Sequence, residues 1–212
     1  MSIIDRLACR QDRNDEKLNI ELARYLCSCD DFDGVAEIIA GFKGKDKAVA
    51  NDCIKVLYEA GKIKPELIAK YADDFLLFLN SKNNRLAWGS MIALASITQL
   101  VPEVIFANLH TVVSAYESGS VITVDNSISV FAKLCKADAR YSEKVLPILT
   151  EHLRKCRPKD MAQHAERASL CFNPGNADIF KDILEKRAPF LTLSQQQRVK
   201  KLLKTLDSAG TS

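Results

Sequence analysis

The chain has 212 residues, 47% of them apolar and 27% charged, which is enough apolar surface to offset ordering entropy and excludes a disordered polypeptide. Thirty basic residues against 27 acidic ones leave a net charge of +3, too small a bias to mark a nucleic-acid binder by charge alone. Eight glycines and six prolines are about half the average usage, so a sandwich or barrel of many short strands is excluded as well.

The apolar residues recur every three to four positions along nearly the whole chain, the signature of amphipathic helices. Residues 15–28 and 32–42 read as a first pair. Segment 47–60 then places Val49, Cys53, Val56, Leu57 and Ala60 on one face, and Gly61 stops it. Pro65 opens the partner helix at a first-turn position, where its missing N–H costs nothing. That helix carries Ile68, Ala72, Phe75, Leu76 and Leu79 inward.

The same arrangement recurs 37 residues later, with Leu86, Ser90, Ala93, Leu94 and Ile97 on the inner face and Pro102 in the place of Pro65. Ile105, Leu109, Val112, Val113 and Tyr116 follow in the second helix. A third copy gives Thr123, Ser127, Val130, Phe131 and Leu134, and then a helix from near Ser142 with Val145, Leu149 and Leu153. A fourth, weaker copy gives Met161, Ala165, Ala168, Ser169 and Phe172, followed by a helix near 176–187. Segment 194–206 closes the chain as a single helix, with Ser194 as N-cap and Gln197 at the capping-box position.

Two helices per period of about 37 residues is an α-solenoid pattern, because no single pair can bury its own apolar face. The expectation is an all-α superhelix of about five helix pairs. It forms a single domain, 1–212, with repeats at 14–44, 45–80, 82–117, 120–156 and 158–188 and a capping helix at 194–207. A non-repetitive helical bundle is the competing architecture. The stretches KAVANDCIKVLYEAGKIKPELIAKY and NRLAWGSMIALASITQLVPEVIFANL resemble HEAT-like repeats of the armadillo-type superfamily. The resemblance spans about residues 14–190 and includes the proline between helices. The Asp and Arg that many HEAT repeats carry around that turn are not regular here. It therefore implies the fold and selects no subfamily.

In such a stack, equivalent positions form stripes. Asn51, Trp88, Asp125 and Gln163 make one stripe, and Asp52, Gly89, Asn126 and His164 lie one residue further on. A large aromatic beside aligned polar residues is the composition of a binding groove; the competing reading of Trp88 is a filler between adjacent repeats. The loop Asn80–Arg85 is dense in hydrogen-bonding side chains, and Arg85 shares a helix face with Trp88. The loop at 117–120 should lie beside it. The predicted binding residues are therefore Asn83, Asn84, Arg85, Trp88, Asp125, Asn126 and His164.

No nucleophile–base motif and no phosphate-cradling glycine loop is present, so the chain reads as non-catalytic, with no cofactor. No metal is expected either. Cys27 and Cys29 on a helix end point apart, and Cys156, His164 and Cys171 are too widely spaced for a local site. His110 and His152 read as helix-surface residues. Seven scattered cysteines read as reduced thiols, mostly buried, of a cytoplasmic protein. No run approaches the roughly 18–20 apolar residues of a membrane helix, and MSIIDRLACRQDRNDEK does not read as a secretory leader.

The expected function is a protein–protein interaction scaffold. The second reading is a nucleic-acid-binding or DNA-repair protein resembling the HEAT-like alkylation-repair glycosylases, supported by basic residues at Lys181, Lys186, Arg187, Arg198, Lys200, Lys201 and Lys204. Asp52 and Asp125 in the stripes oppose it, because they repel phosphate. A third reading, an enzyme or chromophore-handling protein, rests only on Asp125 and His164.

Overall fold

The computed structural model describes residues 2–13 and 15–209. Asn14, where the first predicted repeat begins, lies outside the described residues, as do 1 and 210–212. Among the described residues there are twelve α-helices and no strand, so the fold is all-α. The helices are α1 (Lys17–Ser28), α2 (Phe32–Phe42), α3 (Lys47–Ile63), α4 (Ala72–Phe78), α5 (Asn84–Ile97) and α6 (Pro102–Ala107). They continue as α7 (Leu109–Ser118), α8 (Val121–Ala137), α9 (Ala139–Lys155), α10 (Pro158–Ala168), α11 (Ala177–Arg187) and α12 (Leu193–Ala209). The residues group into two compact units, 1–127 and 128–212.

In the first unit, α1, α3 and α5 lie side by side, and α2 and α4 pack behind them against α3 and α5. Most of the faces set by the 37-residue spacing are buried, although Leu109, Val113 and Tyr116, expected to point inward, are only half-buried. Cys53, Val56, Ala60, Ile68, Phe75, Ala93, Leu94 and Ile97 are 0% exposed. Phe42 of α2 meets Phe75 and Phe78 of α4 at centroid separations of 6.0 and 4.2 Å, joining the second helices of adjacent pairs. Two hydroxyls at core positions turn back onto their own helices: Thr98 Oγ1 donates to the Leu94 carbonyl at 2.7 Å and Ser127 Oγ to the Thr123 carbonyl at 2.8 Å. Such residues can therefore occupy apolar positions without an orphaned group.

Short side chains set the helix starts. The side chains of Asp31, Asp46 and Asn83 accept from backbone N–H groups in the first turns of α2, α3 and α5. The three-residue turn from α1 to α2 passes through Asp30 at φ 52°, a left-handed cap position that Asp tolerates. Two glycines allow α3 and α5 to approach closely. A Cβ on Gly61 would stand 2.4 Å from Ser96 Oγ, and one on Gly89 would stand 2.6 Å from Ile54 Cγ1.

The second helices depart from the sequence reading. Pro65 opens a 3-10 turn, Pro65–Leu67, followed by a second such turn at Ala69–Tyr71 before α4 begins. Pro102 does open a helix, but it breaks at Asn108, whose side-chain amide donates to the Val104 carbonyl at 3.0 Å. A local side-chain bond there competes with the helical ladder. Residues 3–11 form two 3-10 turns that the apolar period did not reveal. They bury Leu7 completely and are held by Asn19 Oδ1 accepting from Ala8 N–H at 3.0 Å and Asp52 Oδ2 accepting from Cys9 N–H at 2.8 Å.

In the second unit, α9 packs on α10 and α11, and α12 packs on both α10 and α11. Phe131, Val145, Leu149, Leu153 and Phe180 are fully buried. α9 begins at Ala139, with Asp138 capping it, rather than near Ser142. The reciprocal cap of α12 lies two residues earlier than expected. Gln195 Oε1 accepts from Thr192 N–H at 3.0 Å, and Thr192 Oγ1 accepts from Gln195 N–H at 3.4 Å. Thr192 thus takes the role assigned to Ser194, and Leu193 opens the helix.

Candidate functional site

The predicted residues of the first unit fall into three settings. Asn83 caps α5 through its carbonyl oxygen, and its amide donates to Asn51 Oδ1 at 2.8 Å. The two asparagines therefore form a rung between adjacent repeats. Asn84 is exposed and lines a polar cleft of about 420 Å³ together with Asn80, Ser81, Ser118, Ser120 and Thr123. The loops at 80–84 and 118–120 do line one cleft; Gly119 serves the tight junction of α7 and α8, where a Cβ would sit 2.4 Å from the Ala115 carbonyl oxygen and 2.7 Å from Thr123 Cβ.

Arg85 and Trp88 belong to a denser cluster on α3 and α5. Trp88 is partly exposed, and its ring stands 5.8 Å from Tyr58 and 5.9 Å from the Arg85 guanidinium. Arg85 pairs with Glu16, and Glu16 also pairs with Lys55 at 2.9 Å. Lys55 bonds Glu59 at 2.9 Å as well, and Glu59 in turn holds Lys62 at 3.0 Å. Both lysine ammoniums stand 4.9 Å from the Tyr58 ring. The result is an alternating ionic chain wrapped around two aromatic rings.

The electrostatics follow from this packing. Burial by itself would raise the Glu16 carboxyl, but Lys55 and Arg85 outweigh it and hold Glu16 below the usual carboxylate range. Glu59 behaves likewise, with burial opposed and overcome by Lys55 and Lys62. Burial would lower Lys55, yet its bonds to Glu16 and Glu59 leave it well above an ordinary lysine. All three groups are therefore charged at neutral pH.

The second stripe is not a surface row. Asp52 holds the backbone of Cys9, and Gly89 is buried against Ile54. Asn126, partly exposed, donates to the Ile122 carbonyl of its own helix at 2.8 Å. Asp125 is partly exposed. His164 is 2% exposed and lies in the second unit, with its Nδ1 2.8 Å from His152 Nε2.

That pairing corrects two expectations. His152 is buried rather than on the helix surface. Cys156 and His164 are brought together, although eight residues separate them, because α10 folds back along α9. The donor atoms of His152, Cys156 and His164 lie within 4.8 Å of one another. Burial pushes the Cys156 thiol up, against the pull of Arg187. Arg187 caps the end of α9 by donating to the carbonyls of Arg154 and Cys156. Cys27 is buried and Cys29 exposed, so that pair does point apart.

Sequence reasoning also missed a cavity of about 700 Å³ in the second unit, lined by Cys135, Ser142, Glu143, Pro147, Thr150 and Arg154, among others. Its main wall is one face of α9, Ala139, Ser142, Glu143, Leu146, Pro147, Thr150 and Arg154, closed by Cys135, Asn173 and Ile179; the apolar count followed the other face of that helix, through Val145, Leu149 and Leu153. Of the seven basic residues singled out near the C-terminus, at least three are paired with acids. Lys181 pairs with Asp207, Lys186 with Asp182, and Arg198 with Glu166.

No protein-family model matches the chain, and no curated protein matches it. Solved structures do. An engineered protein superimposes with a TM-score of 0.68 at 15% identity, over 99% of this chain and 98% of that one. A designed armadillo repeat protein in complex with the peptide (KR)4 matches at 0.63 and 13% identity, covering 90% and 86% of the two chains. A further designed armadillo repeat protein matches at 0.65 and 10% identity, covering 96% and 98%. The fold is the helical repeat fold of the HEAT/armadillo type. No helix among the described residues is long and apolar enough to cross a membrane.

Proposed function

We propose that the chain is a non-catalytic scaffold for protein–protein interaction, and that Asn84, Arg85 and Trp88 contact the partner. A repeat fold of this type commonly binds proteins, and one designed relative of the fold is a peptide complex. The observation that carries the reading is the partly exposed indole of Trp88, flanked by Arg85 and Tyr58 and set beside the Asn51–Asn83 rung. Trp, Tyr and Arg are the side chains that dominate interface energetics, and a rigid ring held by its neighbours loses little entropy when covered. Asp125 and Asn126, on the next repeat, extend the same surface in this proposal.

Quantitative affinity purification from cells tests it. Arg85→Ala with Trp88→Ala should lower recovery of a specific partner by about thirtyfold, the effect of losing a 2 kcal/mol hot spot. The far-UV circular dichroism spectrum should stay unchanged. Equal recovery by wild type and a folded double variant would remove these residues from the interface.

A further inference from the structure

We propose that His152, Cys156 and His164 form a buried binding site for a Cu(I) ion, with the thioether of Met161 as a fourth donor. His152 and Cys156 stand four apart at the end of α9, so they share a face. Pro158 starts α10, which returns His164 and Met161 to that same face. The three ligand atoms already lie within 4.8 Å of one another. Cys156 Sγ is 4.0 Å from Met161 Sδ, and Met161 is 0% exposed.

The donor set selects the ion. The thiolate and the thioether are soft ligands and the two imidazoles are borderline ones that copper also accepts; thioether sulfur in particular suits copper rather than calcium, magnesium or manganese. Charge points the same way. Cu(I) with one thiolate is neutral, whereas Zn(II) with one thiolate keeps a positive charge, which is costly among buried groups and beside the Arg187 guanidinium. The two imidazole nitrogens now stand 2.8 Å apart. With metal–nitrogen bonds of about 2.0 Å they must part to roughly 3.3–3.5 Å, a small rotation of either ring. On binding, the metal replaces the hydrogen bond between the rings: the imidazole that donated it takes the other tautomer, its proton moving to its second ring nitrogen, and the thiol proton leaves to solvent. Cys156 is the partly exposed member of the set and gives the ion its way in.

The test is an anaerobic titration of the reduced protein with Cu(I) in competition with bicinchoninate, alongside a Zn(II) titration against a chromophoric chelator. Wild type should take up one tightly held Cu(I). Cys156→Ser should weaken it by at least about a hundredfold, since a direct ligand matters more than the outer-shell partners that cost ten- to a hundredfold. Met161→Leu should weaken it about tenfold. In the Cu(I)-loaded wild type, Cys156 should resist alkylation, read by peptide mass spectrometry, and this readout stands even where a variant fails to fold. Equal Cu(I) affinity in wild type and Cys156→Ser, or an unprotected Cys156, would overturn the site. Uptake of Zn(II) but not Cu(I) would overturn the ion, and an unchanged Met161→Leu would overturn the fourth donor.

Discussion

Lys55→Met is the sharpest probe of the ionic chain on α3 and α5. Methionine keeps most of the lysine stem, so packing against Tyr58 survives and the change removes mainly the charge. The Lys55 side chain is 8% exposed, and its partners Glu59 and Glu16 are 17% and 40% exposed. Removing one member of a fully buried pair costs about 3–5 kcal/mol, because the other charge is left unpaired. Here water reaches Glu16, and Arg85 and Lys62 still hold the two carboxylates. The expected cost therefore falls to about 1–2 kcal/mol, or a melting-temperature drop of roughly 2–8 °C for a chain of this size. Urea unfolding followed by fluorescence measures it directly. The single tryptophan, Trp88, lies in the same cluster, 5.8 Å from Tyr58.

The pH dependence carries a definite sign. Glu16 and Glu59 have folded-state values below the unfolded value of about 4.3. Their contribution is present above that value and is lost as pH falls through their depressed folded values. The gap between wild type and Lys55→Met should thus be full at pH 7 and shrink below about pH 4. A gap that stays constant from pH 7 to pH 3, or a variant as stable as wild type, would refute the claim that the chain of charges stabilises this surface.

Other outcomes follow from separate parts of the molecule. Gly89→Val should destabilise by about 1–3 kcal/mol in denaturant titration, because its Cβ would meet Ile54 at 2.6 Å. Thr192→Ala should cost about 1 kcal/mol, read as a 2–4 °C lower melting temperature, through loss of the hydroxyl that caps α12. Phe131→Ala, at a fully buried position, should cost about 3–5 kcal/mol in the same assay. With a thiol reagent at pH 8, exposed Cys29 should react first. Cys9, pushed up to about 11 by burial and by Asp52, and buried Cys53 should lag, as peptide mapping will show.

The helix-pair core was legible in the sequence because burial there is a periodic constraint. Val49, Leu86 and Thr123, spaced at the 37-residue interval, are all buried, and even Ser90 and Ser127 keep their register. Some features were less legible because they depend on local competition or on chain reversal. Asn108 ends α6 by a side-chain bond that no apolar count reveals. The cap of α12 fell on Thr192 because Gln195, not Gln197, reaches back. The His152–His164 contact needs α10 to turn along α9, which spacing in sequence does not encode. Of the predicted binding residues, the loop neighbours Asn83, Asn84, Arg85 and Trp88 share one region, since adjacency in the chain kept them there. His164 was placed by an extrapolated register, and the structure sets it inside the second unit.

The paired glycines of α3 and α5 have a consequence for recognition. Gly61 gives room to Ser96, and Gly89 gives room to Ile54, so each helix is notched where the other presses in. Two notches fix the sliding coordinate of one helix along the other, as two pegs fix a ruler. The side chains of Asn51, Lys55 and Tyr58 are thereby held at a set offset from Asn83, Arg85 and Trp88. The pitch at which a partner must present its own groups is cut from within the core, by two absent methyl groups.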